Sequence, residues 1–273
     1  MRTLRITLAL LLGSLFLPVV AQRAAVAQVP NRVVLVIMEN HAYGEIHGSS
    51  SAPYMNNTFA PAGKLLTNYF AIDHPSLPNY LDLTAGTDGG CGSDSCSRDS
   101  ITANNIFHQL SRAGYGWQAW MESMGTNCRT SDTSSYVVHH NPPPYFTDLM
   151  PKSCAKRDIP YPSTLPTPLK MFTWISPNND DNMHDGTIAQ GDTWLSNHVP
   201  ALLATGATVI IVFDEDDGSQ SNHVWCAMVG PGITAGSSSN TAYTHFGLLA
   251  GLETHFGLSL LGSAASATAV PIP

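Results

Sequence analysis

The sequence predicts an α/β domain: a mostly parallel sheet flanked by helices. Residues 33–38 (Val-Val-Leu-Val-Ile-Met) and 208–213 (Thr-Val-Ile-Ile-Val-Phe) are unbroken apolar runs rich in β-branched side chains, as strands covered on both faces require. Segments with helical spacing alternate with such runs along the chain, which is the signature of βαβ units. At 273 residues with 43% hydrophobic side chains, one large core is within reach.

In chain order, residues 1–27 read as a secretory signal peptide. Arg2 and Arg5 form the basic start, 6–20 the apolar run, and Ala25-Val26-Ala27 a small-x-small cleavage site, with a cut after Ala21 as the alternative. The run is broken by Gly13, Ser14 and Pro18 and is shorter than a bilayer span, and no later stretch reaches that length. The protein is therefore expected to be secreted, extracellular or periplasmic, with no stable membrane anchor. The domain proper is placed at 28–261 and a low-complexity, peripheral tail at 262–273.

The strand at 33–38 ends in Glu39-Asn40-His41. A capped helix is predicted over 102–113, stopped by Gly114 and followed by the short apolar run 117–121. The Pro-rich stretch 121–170 reads as loops inserted over one face. Further strands are expected at 171–175 and 224–229. Helices are expected at 192–205, with Leu195, Val199, Leu202 and Leu203 on one face, and at 244–256. The strand at 208–213 ends in Asp214-Glu215-Asp216-Asp217-Gly218. Gly230-x-Gly232-x-x-Ala235 matches a dinucleotide-binding pattern after a strand, but loop rather than helix follows it.

Charged residues make up 12% of the chain, about half the roughly 25% usual for soluble domains. Removing residues 1–27 leaves 9 basic against 20 acidic side chains, a net charge of −11. No basic run exists, which argues against nucleic acid as a partner. Export makes disulfides plausible, and the pairs Cys91–Cys96 and Cys128–Cys154 are predicted, with Cys226 a buried free thiol in an apolar run. The paired spacing of a structural zinc site is missing.

Ligands of open α/β sheets bind beyond the carboxyl ends of the strands. Glu39-Asn40 and Asp214-Glu215 both occupy such positions. Three carboxylates and an amide oxygen brought together repel one another unless a cation lies among them, and hard oxygen donors favour a divalent ion. The same acids also suit helix caps or solvated loops. His74-Pro75-Ser76-Leu77-Pro78-Asn79-Tyr80 precedes a possible helix at 80–84, putting the Ser76 hydroxyl at a helix N-terminus, suited either to capping or to nucleophilic attack. His184 beside Asp185 follows the strand at 171–175 and is placed to bind a phosphoryl oxygen or protonate a leaving group. His139 and His140 precede three prolines, in reach of a cleft or merely on the surface. His245, at the start of the last helix, is a candidate for the site or for capping.

Glu39-Asn40, His74-Pro75-Ser76-x-Pro78-Asn79-Tyr80, Asn182-Met183-His184-Asp185-Gly186 and Phe213-Asp214-Glu215-Asp216-Asp217-Gly218 together resemble the bacterial phosphoesterase family of acid phosphatases and phospholipases C. The likeness is greatest to its small secreted acid phosphatases, and includes Ile188-Ala189-Gln190-Gly191-Asp192-x-Trp194-Leu195. It implies an alkaline phosphatase-like core, one divalent metal ion held by Glu39, Asn40, Ser76, Asp214 and Glu215, and Ser76 as nucleophile. His184 and His140 are implied as catalytic groups, with His74 and Asp185 on the phosphate ester substrate. Segments that larger members carry are missing, which favours a phosphomonoesterase over a phospholipase C-type diesterase. The remaining rival is a non-catalytic exported metal-binding or adhesion module. No basic residue falls in the four blocks, so metal and protonated imidazoles are expected to supply positive charge, giving an acidic pH optimum.

Overall fold

A computed structural model describes residues 30–273; the expected signal peptide lies outside the described residues. Among the described residues there are ten strands: β1 Val33–Met38, β2 Lys64–Leu66, β3 Tyr69–Phe70, β4 Trp117–Met121, β5 Asp158–Pro160, β6 Phe172–Ser176, β7 Thr208–Phe213, β8 Cys226–Val229, β9 Ser237–Ser239 and β10 Tyr243–Thr244. The α-helices are α1 Tyr43–Ile46, α2 Ala60–Ala62, α3 Ser76–Ala85, α4 Ile106–Arg112, α5 Lys152–Arg157, α6 Ile188–Leu203 and α7 His245–His255. Eight strands form one sheet in the order β5-β4-β6-β1-β7-β8-β2-β9, and β3 pairs with β10 apart from it.

From β5 to β7 every pairing is parallel, while β8 runs antiparallel to both β7 and β2. β1, β6 and β7 are buried along their whole length, which explains why their sequences read as continuous apolar runs. β1 is the centre of the sheet. Its pairing with β7 runs to Met38 opposite Phe213, so Glu39 and Asp214 leave the sheet side by side at the carboxyl edge.

The expected elements are present with shifted ends. The helix predicted at 102–113 is α4, which starts only at Ile106 because Asn105 caps it, accepting from the His108 amide at 2.9 Å. The helix predicted at 192–205 is α6; it begins four residues earlier, where Thr187 caps it. The segment 121–170 is more than inserted loops, since it contributes α5 and the edge strand β5, which ends at Pro160. The tail packs at two points. Ala264 and Val270 are buried, and the Val270 amide donates to the Gly247 carbonyl of α7 at 2.9 Å. Both predicted disulfides are formed, and Cys226 is a buried free thiol.

Candidate active site

Three neighbouring strands, β6, β1 and β7, deliver the polar segments that follow them to one end of the sheet. The segment after β6 is tied to the end of β1, because the Glu39 amide donates to the Asn182 carbonyl at 2.9 Å. Gly186 is obligatory in it: a Cβ there would lie 1.9 Å from the Asp180 carbonyl oxygen. Met183 is held at φ 82° with its side chain buried, a strained backbone for a residue other than glycine.

α3 begins at Ser76, not at Tyr80, and its first turn lies over the strand tips. The Ser76 hydroxyl is 3.1 Å from Glu39 Oε2 and 3.1 Å from Glu215 Oε1. A hydroxyl carries one proton, so it donates to only one of these carboxylates, and the other contact needs a proton or a cation to be satisfied. Asp214 Oδ1 accepts the Asn40 amide at 3.2 Å, while its Oδ2 is buried without a partner. The expected Asn40 position is thus reached through its backbone, at φ 55°.

Burial pushes all three acids up. Glu39 is raised far above the usual carboxylate range, with the charge of Asp214 as the second cause. Asp214 is raised to about 6, and Glu215 to about 9 by burial and then by Asp214. These are groups for which a buried negative charge is expensive, gathered where no Lys or Arg ion pair reaches them among the described residues.

The histidines divide into two sets. His74, whose side chain is 47% exposed, bridges Glu215 Oε2 at 2.6 Å and Asp216 Oδ1 at 3.2 Å. His184 lies at the rim with its Nδ1 2.7 Å from Asp185 Oδ1. That contact lowers the Asp185 carboxyl, and Asp185 itself faces solvent with its carboxylate on the imidazole. His140 is buried, stacked on Tyr80 with ring centroids 5.4 Å apart, and its Nε2 is 3.3 Å from Glu39 Oε1. Burial, then His139 and His184, push its pKa well down, so it is neutral rather than the imidazolium expected from composition. His245 is a buried anchor: its Nε2 lies 2.6 Å from the Asp214 carbonyl, Tyr69 holds its Nδ1, and burial pushes it down to about 4.

Tyr80 and Asp94 were not singled out from the sequence. Tyr80 donates its hydroxyl to Glu39 Oε1, and burial keeps that hydroxyl protonated. Its position four residues after Ser76, on the same helix face, is a signal the sequence does contain. Asp192, in the Ile188–Leu195 part of the resemblance, plays a structural part, since its two oxygens accept the Tyr54 and Met55 amides, both at 2.9 Å.

Among the described residues one group of three His, Cys, Asp or Glu ligand atoms lies within 4.8 Å of each other, Cys128, Cys154 and Asp158, and both its sulfurs are spent in a disulfide; the acids at the strand tips are spread more widely than that.

The mostly parallel sheet with its flanking helices has alkaline phosphatase-like architecture, a helix-borne serine and three acids lie together at its carboxyl edge, and the family and relatives that the chain matches make it a phosphoric ester hydrolase. The chain belongs to the Phosphoesterase family, whose model matches residues 49–259 and so includes Ser76, His184 and Asp214 but begins after Glu39. It is similar to the phosphatidylinositol-3-phosphatase of Mycobacterium tuberculosis, 33% identical over 86% of this chain and 80% of that one. It is also similar to the phosphate-repressible acid phosphatase of Penicillium chrysogenum, 30% identical over 74% of this chain; the chain spans 54% of that protein's length. In fold it resembles a solved protein of the alkaline phosphatase superfamily from Vibrio parahaemolyticus, with a TM-score of 0.62, 10% identity, and 90% and 71% of the two chains covered.

Proposed function

We propose that the protein is an exported, acid-active phosphomonoesterase that works through Ser76 and a phosphoserine intermediate. The observation that carries this is the single hydroxyl set between two buried carboxylates, with a third, partly unpartnered one beside them. The fit to a divalent cation is good on chemistry: the donors are hard oxygens, and Asp214 Oδ2 lacks a partner. Glu39, Asn40, Asp214, Glu215 and the Ser76 oxygen would hold one such ion, which when bound neutralises the acids and favours the alkoxide form of Ser76.

The chain's own residues then account for the remaining steps. The Ser76 oxygen attacks phosphorus, and the ester oxygen leaves with its bonding pair, taking a proton from the His184 imidazole that Asp185 orients. His74 holds Glu215 in place from the open side. Asn182 Nδ2 lies 3.5 Å from His140 Nδ1, which leaves the protonated Nε2 turned toward Glu39; His140 is therefore a positioning residue for that carboxylate. Water next attacks the phosphoserine, gives its proton to His184, and frees Ser76 and phosphate.

The two disulfides support export, and no helix among the described residues is long and apolar enough to cross a membrane. A relative named for dephosphorylating an inositol lipid favours a monoester, soluble or carried on a lipid, over a diester. Mass spectrometry after acid quench with 4-nitrophenyl phosphate tests the reading. A phosphate on the peptide containing Ser76 is expected, whereas steady turnover by Ser76→Ala would overturn it. Phosphatidylcholine hydrolysis exceeding that of the monoester would favour the phospholipase C alternative.

A further inference from the structure

We propose that Asp94 sets the charge of the phosphoryl group the site accepts, favouring a singly charged phosphate ester over a doubly charged one. This rests on the reading of Ser76 as the nucleophile. Asp94 comes from the loop closed by the Cys91–Cys96 disulfide, and its Oδ1 accepts the Leu77 amide at 2.8 Å. Leu77 follows Ser76 directly, and its amide is one of the free donors at the start of α3. Donors beside a nucleophile are what phosphoryl oxygens need as they gather charge, yet here a fixed carboxylate already holds one.

Pro75, the cap position of α3, offers no side-chain hydrogen bond, so the acceptor is imported from 17 residues away. The groups that feel its charge are Glu215 after β7, and His139 and Tyr145 from the Pro-rich segment between β4 and α5. Asp94 takes part in none of the ion pairs among the described residues, so its charge is not cancelled by a partner. An incoming dianion meets this carboxylate as well as the acids beneath Ser76, whereas a monoanion meets half the repulsion.

The test uses the full-length protein and separates substrate charge from everything else that changes with pH. A phosphomonoester has a second pKa of about 6, so it is mostly singly charged near pH 5 and doubly charged near pH 7.5. A diester carries one charge at both. Asp94→Asn keeps an oxygen for the Leu77 amide and removes the charge. For 4-nitrophenyl phosphate its KM is expected to fall about tenfold at pH 7.5 and less than about threefold at pH 5. The inhibition constant of bis(4-nitrophenyl) phosphate is expected to stay within about twofold at both. Asp94→Ser, a shorter uncharged acceptor, should reproduce the pattern and serves if the first variant folds poorly. Equal shifts for monoester and diester, an unchanged KM, or a loss of kcat alone would overturn the inference and leave Asp94 a helix cap. Activity retained in Ser76→Ala would instead overturn the underlying reading, so the two failures are distinct.

Discussion

Asp158 and the Glu39, Asp214 and Glu215 cluster are both buried carboxyl groups at strand ends, and burial raises the pKa of each. Asp158 is alone. Its Oδ2 accepts from Asn141 Nδ2 at 2.9 Å, the same amide reaches Tyr136, and with its pKa pushed up to about 8 it is mostly a neutral acid at pH 7. At the β1 and β7 tips the acids are three and the hydroxyl is one. No assignment of that single hydroxyl proton satisfies both carboxylates beside it. A solitary buried acid surrounded by neutral groups is a structural device. Acids crowded round one hydroxyl raise one another's pKa as well, so each needs a proton or a cation to be held there.

Breaking the crowded set has the largest expected effect. Ser76→Ala and Asp214→Asn should each lower kcat by at least about a thousandfold while the melting temperature shifts by only a few °C. A variant of either kind that retains a tenth of the activity would place the chemistry elsewhere. Tyr80→Phe removes the hydroxyl that Glu39 Oε1 accepts from and leaves the ring stacked on His140. A loss of about tenfold to a hundredfold in kcat/KM is expected, the worth of a hydrogen bond to a charged group. Steady-state kinetics beside near-UV circular dichroism would tell this from misfolding.

The crowded acids also make stability depend on pH. Glu215 and Asp214 have folded-state pKa values near 9 and 6, above those of the unfolded chain, so the folded form binds more protons between about pH 4 and 9. Their contribution to stability is complete below the unfolded pKa and is lost as pH rises through the folded values. Metal-free protein prepared with a chelator should therefore melt lower at pH 8 than at pH 5. A divalent ion prefers the deprotonated acids and should raise the melting temperature more at pH 8 than at pH 5. Equal shifts at both pH values would count against the cluster as the binding set.

The crowded site was the more legible of the two regions. β1 and β7 announce themselves as unbroken apolar runs, and the acids directly after them are the residues that meet at Ser76. The disulfide pairs followed from loop composition. What sequence did not carry was arrival across space. Asp94 reaches α3 only because its loop folds back, and His140 reads as a loop histidine until Tyr80 and Glu39 enclose it. Strand β9 is three serines with no apolar pattern, and β5 is three residues ending in proline, so neither has a local signature. Their places depend on the sheet already formed beside them.

Asp158 supplies the smallest effect and the control for the rest. Asp158→Asn keeps the shape of the side chain and an oxygen for Asn141 to donate to, and it replaces a group that is already mostly neutral at pH 7. Turnover should be unchanged. From about pH 4, where the unfolded carboxyl ionises, up to about pH 8 the folded parent must hold its proton against the solvent, and the amide has no such penalty. The variant should therefore gain on the parent as pH rises from 5 to 8, read as a widening difference in urea midpoint. An unchanged difference over that range would mean that Asp158 is charged in the folded protein. The contrast between the lone acid and the crowded ones would then have to be drawn from their partners alone, not from their protonation.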